Sequence, residues 1–286
     1  MTSGRTLIFH LSDVHFGLED NRALDWVKQE ISEQRPDAVA ITGDLTMRAR
    51  HREFEAATQW INSLDAPVTV EIGNHDMPYF NPVERFFDPY RRMSAIQDKV
   101  EKEIDLPGLA VVPLKTVRRW QPRLNWSKGW VTDSALEKCL AAIDALPEGM
   151  QAIVTAHHPL REVGTQGTAL TRNGRKALDA LAVRPVLAVL SGHVHDAFDI
   201  VEETGSGPVR MIGAGTLSQR VRSTPPSFNE LVWDGRRLEV TVRNLDHVLT
   251  QDMQISDVPA NALPPRQPGE PVARVNQVPR TDPPVH

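Results

Sequence analysis

Residues 7–15 read LIFHLSDVH, an apolar β-type run closed by an aspartate and a histidine two positions apart. The same construction returns along the chain. AVAIT (38–42) runs into Gly43-Asp44, VTVEI (68–72) into Gly73-Asn74-His75-Asp76, AIVTA (152–156) into His157-His158-Pro159, and VLAVLS (186–191) into Gly192-His193-Val194-His195. Apolar runs of this length bounded by turn residues are expected of strands buried on both faces. Oxygen and imidazole donors repeated at their ends are what a pair of divalent cations requires.

The segments between the runs carry helical periodicity. Leu24, Val27 and Ile31 share a stripe within 21–34, and Phe54, Ala57, Trp60, Ile61 and Leu64 share one within 51–64. Leu136, Leu140 and Ile143 repeat the pattern in 133–146, behind an N-cap at Thr132 or Asp133. Alternation of strand and helix predicts a layered α/β fold. Beyond residue 196 the pattern changes to hairpins (FDIVEE, PVRMIG, NELVWDG and RRLEVTVRN), the last pair turning at Asp234-Gly235. The sheets are therefore expected to be mixed rather than one doubly wound parallel sheet.

Composition fits an ordinary globular chain: 286 residues, 40% hydrophobic and 24% charged. A net charge of -5 offers no global attraction to nucleic acid or anionic lipid. The single cysteine, Cys139, sits in the apolar helical stretch ALEKCLAAI and reads as a buried, inert thiol. No signal peptide or membrane-length apolar run is visible, so the expected location is the cytoplasm. The segment 251–286, with eight prolines from Pro259 onward, reads as an extended arm or tail. Packing on a neighbouring copy in a homo-oligomer is the reason it would be ordered.

Read from residues alone, each donor has an ordinary explanation, since a Gly-Asp pair is usually a turn and a strand-end histidine is usually solvated. Their joint occurrence carries the signal. In an extended segment Asp13 and His15, like His193 and His195, would project to one side. Asp44 has enough lone pairs to bridge two ions. His10, inside the first strand, is expected to be a satisfied core residue.

The set D-x-H, G-D, G-N-H-D, H-x-P and G-H-x-H resembles the calcineurin-like metallophosphoesterases, closely over residues 7–196 and loosely to about 245. Every element of that pattern is present without substitution. The resemblance implies a four-layer sandwich of two mixed β-sheets flanked by helices, occupying residues 1–250. It implies one divalent ion held by Asp13, His15, Asp44 and His195, and a second held by Asp44, Asn74, His157 and His193. Oxygen and imidazole donors without thiolate suit Mn, Fe or Zn. It further implies hydrolysis of a phosphoester by a hydroxide bridging the two ions. His75 would act at the leaving oxygen as a catalytic group, with Asp76 orienting it. The role of His158 stays open between an exposed neighbour and a supporting group.

Within the family the motifs look like the bacterial branch acting on small phosphodiesters, including 3′,5′-cyclic nucleotides and glycerophosphodiesters. Relatives acting on a lipid A precursor carry arginine at the position of His75, which argues against that substrate. The expected partner is a small phosphodiester, with a 3′,5′-cyclic nucleotide as the leading expectation, not a membrane and not a nucleic-acid polymer. The competing enzyme reading is a broad diesterase or phosphomonoesterase acting on glycerol phosphates or synthetic esters. A non-catalytic scaffold is the reading from another class, and the intact ligand set opposes it. Expected substrate walls are Met77, Tyr79 and Phe80, with Trp120, Trp126 or Trp130 stacking on a base and Arg118 or Arg119 meeting phosphate. The segment 77–100 is expected to rim the site, either as a lid or as plain connecting helices, and the loop 162–172 to border it.

Overall fold

A computed structural model of the protein describes residues 5–78, 85, 87–88, 90–100, 104–118, 120, 125 and 127–245. Two five-stranded sheets form its centre. The first has the order β10-β9-β1-β2-β3 and comprises β1 (Thr6–Leu11), β2 (Ala38–Ile41), β3 (Val68–Val70), β9 (Ser227–Trp233) and β10 (Leu238–Asn244). The second has the order β4-β5-β6-β8-β7 and comprises β4 (Leu109–Pro113), β5 (Gln151–Thr155), β6 (Val186–Ser191), β7 (Phe198–Thr204) and β8 (Gly207–Gly213). Strands β1, β2 and β3 run parallel, as do β4, β5, β6 and β8. Strands β9, β10 and β7 join antiparallel, giving the mixed sheets expected.

The two-residue alternation of each strand builds the layers. Ile8, Ala38 and Ala40 of the first sheet meet Ile153, Ala188 and Leu190 of the second in one cluster between the sheets. Their neighbours Phe9, Leu11, Val39 and Ile41 face outward onto α1 (Asn21–Gln34), α2 (His51–Asn62) and α3 (Arg91–Val100), through Leu24, Val27, Phe54, Ile61 and Ile96. On the far side Val112, Val154 and Val189 pack on α4 (Asp133–Asp144) and α5 (Gly174–Leu181) through Leu136, Cys139, Ile143 and Leu178. The result is four layers, helix–sheet–sheet–helix.

Local signals behave as their chemistry dictates. Asp20 caps α1 by accepting from the amides of Arg22 (2.9 Å) and Ala23 (3.4 Å), and the Thr132 hydroxyl caps α4 at the Ala135 amide (3.1 Å). The β9–β10 turn is closed by Asp234 Oδ1, which accepts from the amides of Arg236 and Arg237, with Gly235 at φ 91°. His10 is a core residue, with Nε2 3.0 Å from Thr42 Oγ1 and Nδ1 3.2 Å from Asn229 Nδ2. Cys139 is buried, and that burial pushes its thiol up to about 12, which makes it inert. Among the described residues no helix is long and apolar enough to cross a membrane. The proline-rich segment 251–286 lies outside the described residues, as do Tyr79, Phe80, Arg119 and Trp126.

Candidate metal centre

All five motifs come together at one end of the two sheets. They do so by a backbone device that extended-strand reasoning did not anticipate. Asp13, His15, Asp44, His193 and His195 have φ of 54°, 50°, 54°, 70° and 61°, so five of the nine positive-φ non-glycine residues among those described are donors of this site. Each strand ends before its motif, and the chain then turns through left-handed residues rather than continuing extended. Side chains two apart thus converge through turns, not through pleat alternation. Such backbone costs of order 1–3 kcal/mol per residue and persists only where the surroundings enforce it. Here the Asp13 amide donates to Gly43 O (3.1 Å) and the His15 amide to Asp44 O (3.0 Å). Gly43, at φ 96°, admits the close approach, since a Cβ there would lie 2.7 Å from His157 Nδ1.

The histidine rings are oriented from behind by backbone carbonyls. His157 Nδ1 faces Thr42 O at 2.8 Å, His195 Nδ1 faces Arg220 O at 2.8 Å, and His15 Nδ1 faces Thr46 O at 3.4 Å. An Nδ1–H donated to a carbonyl leaves Nε2 pointing forward with its lone pair. The Nε2 atoms of His15 and His195 then stand 3.2 Å apart, and His195 Nε2 is 3.1 Å from Asp13 Oδ1. That carboxylate oxygen is fully buried and accepts no hydrogen bond among the described residues. Its other oxygen is held by the Ser12 hydroxyl (2.6 Å) and the His193 amide (2.8 Å). Lone pairs converging around an orphaned carboxylate oxygen repel one another unless a cation sits among them, so Asp13, His15 and His195 fit a divalent ion.

A second convergence lies beside the first. Asp44 Oδ2 is 3.8 Å from His15 Nε2 and 3.4 Å from His157 Nε2, while Oδ1 accepts from the His75 amide at 2.8 Å. Asn74 Oδ1 lies 3.1 Å from the same His157 nitrogen. The donor atoms of Asp13, Asp44 and His157 lie within 4.8 Å of one another, and so do those of His157, His158 and His193. Asp44 therefore stands between two donor groups, where a bridging carboxylate would be.

Charge follows the same geometry. Burial alone would raise the Asp13 carboxyl, but the His195 charge and contacts from His15 and His195 hold it well below the usual range. Asp44 is lowered too: burial would raise it, but His157, His75 and His15 together outweigh that effect. Burial would lower His157, yet Asp44 carries it up to about 9. Asp13 likewise raises His195 against burial. His193 is pushed down to about 3 by burial and by the charge on His157, and burial also lowers His15.

Three expectations need correction. Asp76 does not orient His75. Its Oδ1 accepts from the amide and hydroxyl of Thr46 (2.8 and 3.0 Å), and its Oδ2 from the amides of Gly73 (2.9 Å) and Leu45 (3.3 Å). Its carboxylate is consumed in tying the Asp44 loop to the Asn74 loop. The His75 ring is set instead by Met47 O, 2.8 Å from Nδ1. Met77 is a fully buried core residue and no substrate wall. Trp130 is engaged by the chain's own cations, with the guanidinium carbons of Arg118 and Arg172 each 4.1 Å from its ring centroid, and it borders a different cavity. Trp120 is 47% exposed and lies off the cavity wall.

His158 is no exposed neighbour. It is buried, with Nδ1 2.9 Å from Thr116 Oγ1 and Nε2 2.8 Å from Ser127 O, so both nitrogens are committed. Its ring packs against His193 with centroids 4.4 Å apart and planes tilted by 50°, and its bond to Ser127 O anchors the 127–129 loop beside the centre. The cavity over the centre has a volume of about 280 Å³. Asp44, Asn74, His75, His193 and His195 form its floor, and Ser127, Lys128, Gln166, Thr168, Arg220 and Arg222 its wall. The expected border loop 162–172 contributes Gln166 and Thr168, and the chain just before Trp130 contributes Ser127 and Lys128. Arg220 and Arg222, from the β8–β9 loop, carried no motif and were not foreseen.

The family model for calcineurin-like phosphoesterases matches residues 6–197, spanning all five motifs. The chain belongs to the calcineurin-like phosphoesterase family. It is a metal-dependent phosphoester hydrolase of that family, and divalent ions are its expected cofactors. This calcineurin-like phosphoesterase is 23% identical over 210 residues to the glycerophosphodiester phosphodiesterase GpdQ of Enterobacter lignolyticus, covering 66% of this chain and 71% of that one. It is 27% identical over 204 residues to a probable cyclic nucleotide phosphodiesterase of Pseudoalteromonas sp., covering 67% and 72%. Among solved structures it is similar in fold to a dimetal phosphatase from Danio rerio, with a TM-score of 0.64, 14% identity, and coverage of 84% of this chain and 96% of that one. A purple acid phosphatase from yellow lupin gives a TM-score of 0.60 at 14% identity, covering 85% of this chain and 52% of that one.

Proposed function

We propose that the protein is a binuclear phosphodiesterase acting on small diesters. Asp13, His15, Asp44 and His195 would hold one divalent ion, and Asp44, Asn74, His157 and His193 the other. The single observation that carries this is the placement of Asp44 Oδ2 between Nε2 of His15 (3.8 Å) and Nε2 of His157 (3.4 Å), beside the orphaned Oδ1 of Asp13. Bound there, Mn, Fe or Zn would supply Lewis-acid polarisation of the phosphoryl oxygens and an acidified nucleophilic water.

The protein's own groups would do the rest. His75 presents Nε2 to the cavity while Met47 O fixes Nδ1, so this nitrogen is placed to meet the leaving oxygen. Asp76 rigidifies both loops that carry Asp44 and Asn74. His158 holds Ser127 and Lys128 at the rim. Lys128 also donates to Thr168 O (2.9 Å) and to its hydroxyl, linking the two border loops.

Between the two diester classes, the wall favours glycerophosphodiesters over 3′,5′-cyclic nucleotides. Among the described residues it presents hydroxyl, amide and cationic groups and no aromatic ring for a base. Its volume of about 280 Å³ falls just below the range of ligand pockets, roughly 300–1,000 Å³. A turnover panel of glycerophosphodiesters, cAMP, and phosphomonoesters, with Mn, Fe and Zn each restored, tests the reading. Faster cleavage of a glycerophosphodiester supports it. Selective turnover of cAMP or of monoesters overturns the substrate assignment, and no turnover of any ester, bis(p-nitrophenyl) phosphate included, favours a scaffold.

A further inference from the structure

We propose that Arg220 is a catalytic residue of this site, its guanidinium clasping a non-bridging oxygen of the substrate phosphate beside His75. The inference rests on the phosphoesterase reading above, and deepens it by naming a group outside the five motifs.

Arg220 is half-buried on the cavity wall. Its Nη1 lies 3.2 Å from His75 Nε2, 3.4 Å from His15 Nε2 and 3.8 Å from Met47 Sδ. Among the described residues the guanidinium meets these three groups and no carboxylate. A guanidinium is always charged and only donates. It therefore points its protons at the cavity-facing nitrogen of His75 and at a nitrogen assigned to a cation. This fixed positive charge stands on the wall of a cavity floored by the candidate metal ligands, and a phosphoryl group held there would carry the complementary charge. A planar fork of N–H groups matches two phosphate oxygens better than any other side chain.

The backbone makes this placement accurate. Arg220 O accepts from His195 Nδ1 at 2.8 Å, and its amide donates to Ser218 Oγ at 3.2 Å. Ser218 Oγ pairs with Thr216 Oγ1 (2.7 Å), which in turn donates to Asp13 O (2.7 Å). One residue thus orients a ligand through its carbonyl and reaches over the centre with its side chain. Replacing the side chain leaves the carbonyl, so metal retention and phosphate recognition separate cleanly.

The test uses full-length, metal-loaded protein and compares wild type with Arg220→Ala and Arg220→Lys. Calorimetric titration with inorganic phosphate should show affinity weakened roughly 10–100-fold in the alanine variant, the usual worth of a hydrogen bond to a charged group, with the lysine variant between. Both variants should retain wild-type metal content, and kcat/KM for bis(p-nitrophenyl) phosphate should fall by a similar factor. Unchanged phosphate affinity overturns the proposal, as does loss of metal from a folded variant, which would make Arg220 a support for His195 alone. Should the alanine variant fail to fold, Arg220→Lys decides: wild-type phosphate affinity and kcat/KM would overturn the clasp, and a loss of both with metals retained would support it. If wild type binds phosphate but hydrolyses no ester, the enzymatic reading fails while the phosphate contact is still decided by the titration.

Discussion

Nε2 of His157 and Oδ1 of Asn74 stand 3.1 Å apart, although an amide oxygen only accepts and the ring's other nitrogen is already turned to the Thr42 carbonyl. A positive species between them relieves that opposition, and either a cation or a second proton on His157 supplies it. The two compete for one position.

That competition fixes a pH dependence. The folded value of His157 is raised from 6.5 to about 9, with burial opposing and the Asp44 carboxylate driving the rise. A raised imidazole stabilises the folded state fully below its unfolded pKa, and the benefit is lost as pH rises through the folded value. Chelator-treated protein should therefore lose thermal stability between pH 6.5 and 9, whereas metal-loaded protein should not. Metal affinity should climb across the same window, because the bound proton must leave first. A melting temperature of stripped protein that rises with pH there would contradict this.

His75→Ala should retain both metals and slow turnover by roughly 10²–10⁴, the usual worth of acid–base help. The ring is fixed by Met47 O, and the hydrogen bond to Asp44 Oδ1 comes from the His75 backbone amide, which alanine preserves. Elemental analysis alongside steady-state kinetics checks both halves, and unchanged turnover removes His75 from the chemistry.

Asp76→Asn should destabilise the fold by about 2–3 kcal/mol in urea titrations, because an amide group would confront backbone N–H groups with a donor. The four hydrogen bonds at stake link the Asp44 and Asn74 loops. A variant as stable as wild type would show that the carboxylate is not the link.

His158→Ala should raise KM more than it lowers kcat, and should cost about 2–4 kcal/mol of stability from the cavity and the two lost partners. It leaves the ring of His157 held by Thr42 O, so metal content should stay near that of wild type. Loss of metal with an unaltered KM would place His158 in the ligand set instead.

The layered fold was legible because buried parallel strands must be continuous apolar runs, and β1, β2, β5 and β6 fall where those runs lie. Helix α5 escaped notice since its eight residues begin behind Asn173 in a left-handed conformation, with no side-chain cap to mark the start. Residue types and spacing named the groups that meet at the centre. The left-handed turns at Asp13, His15 and Asp44 were invisible, because they are imposed by contacts between loops distant in sequence. Asp76 misled by adjacency: next to His75 in the chain, its carboxylate faces the Asp44 loop across the fold. Arg220 sits 25 residues past the last motif, and only the pairing of β8 and β9 with their sheets brings its loop back to His195.

The most direct test of a shared-carboxylate centre is the metal stoichiometry of wild type and Asp44→Ala after equilibrium dialysis against manganese or zinc. Two equivalents in wild type and loss of both in a folded Asp44→Ala variant are predicted. Two equivalents retained without the Asp44 carboxylate would contradict the bridge on which the proposed centre stands.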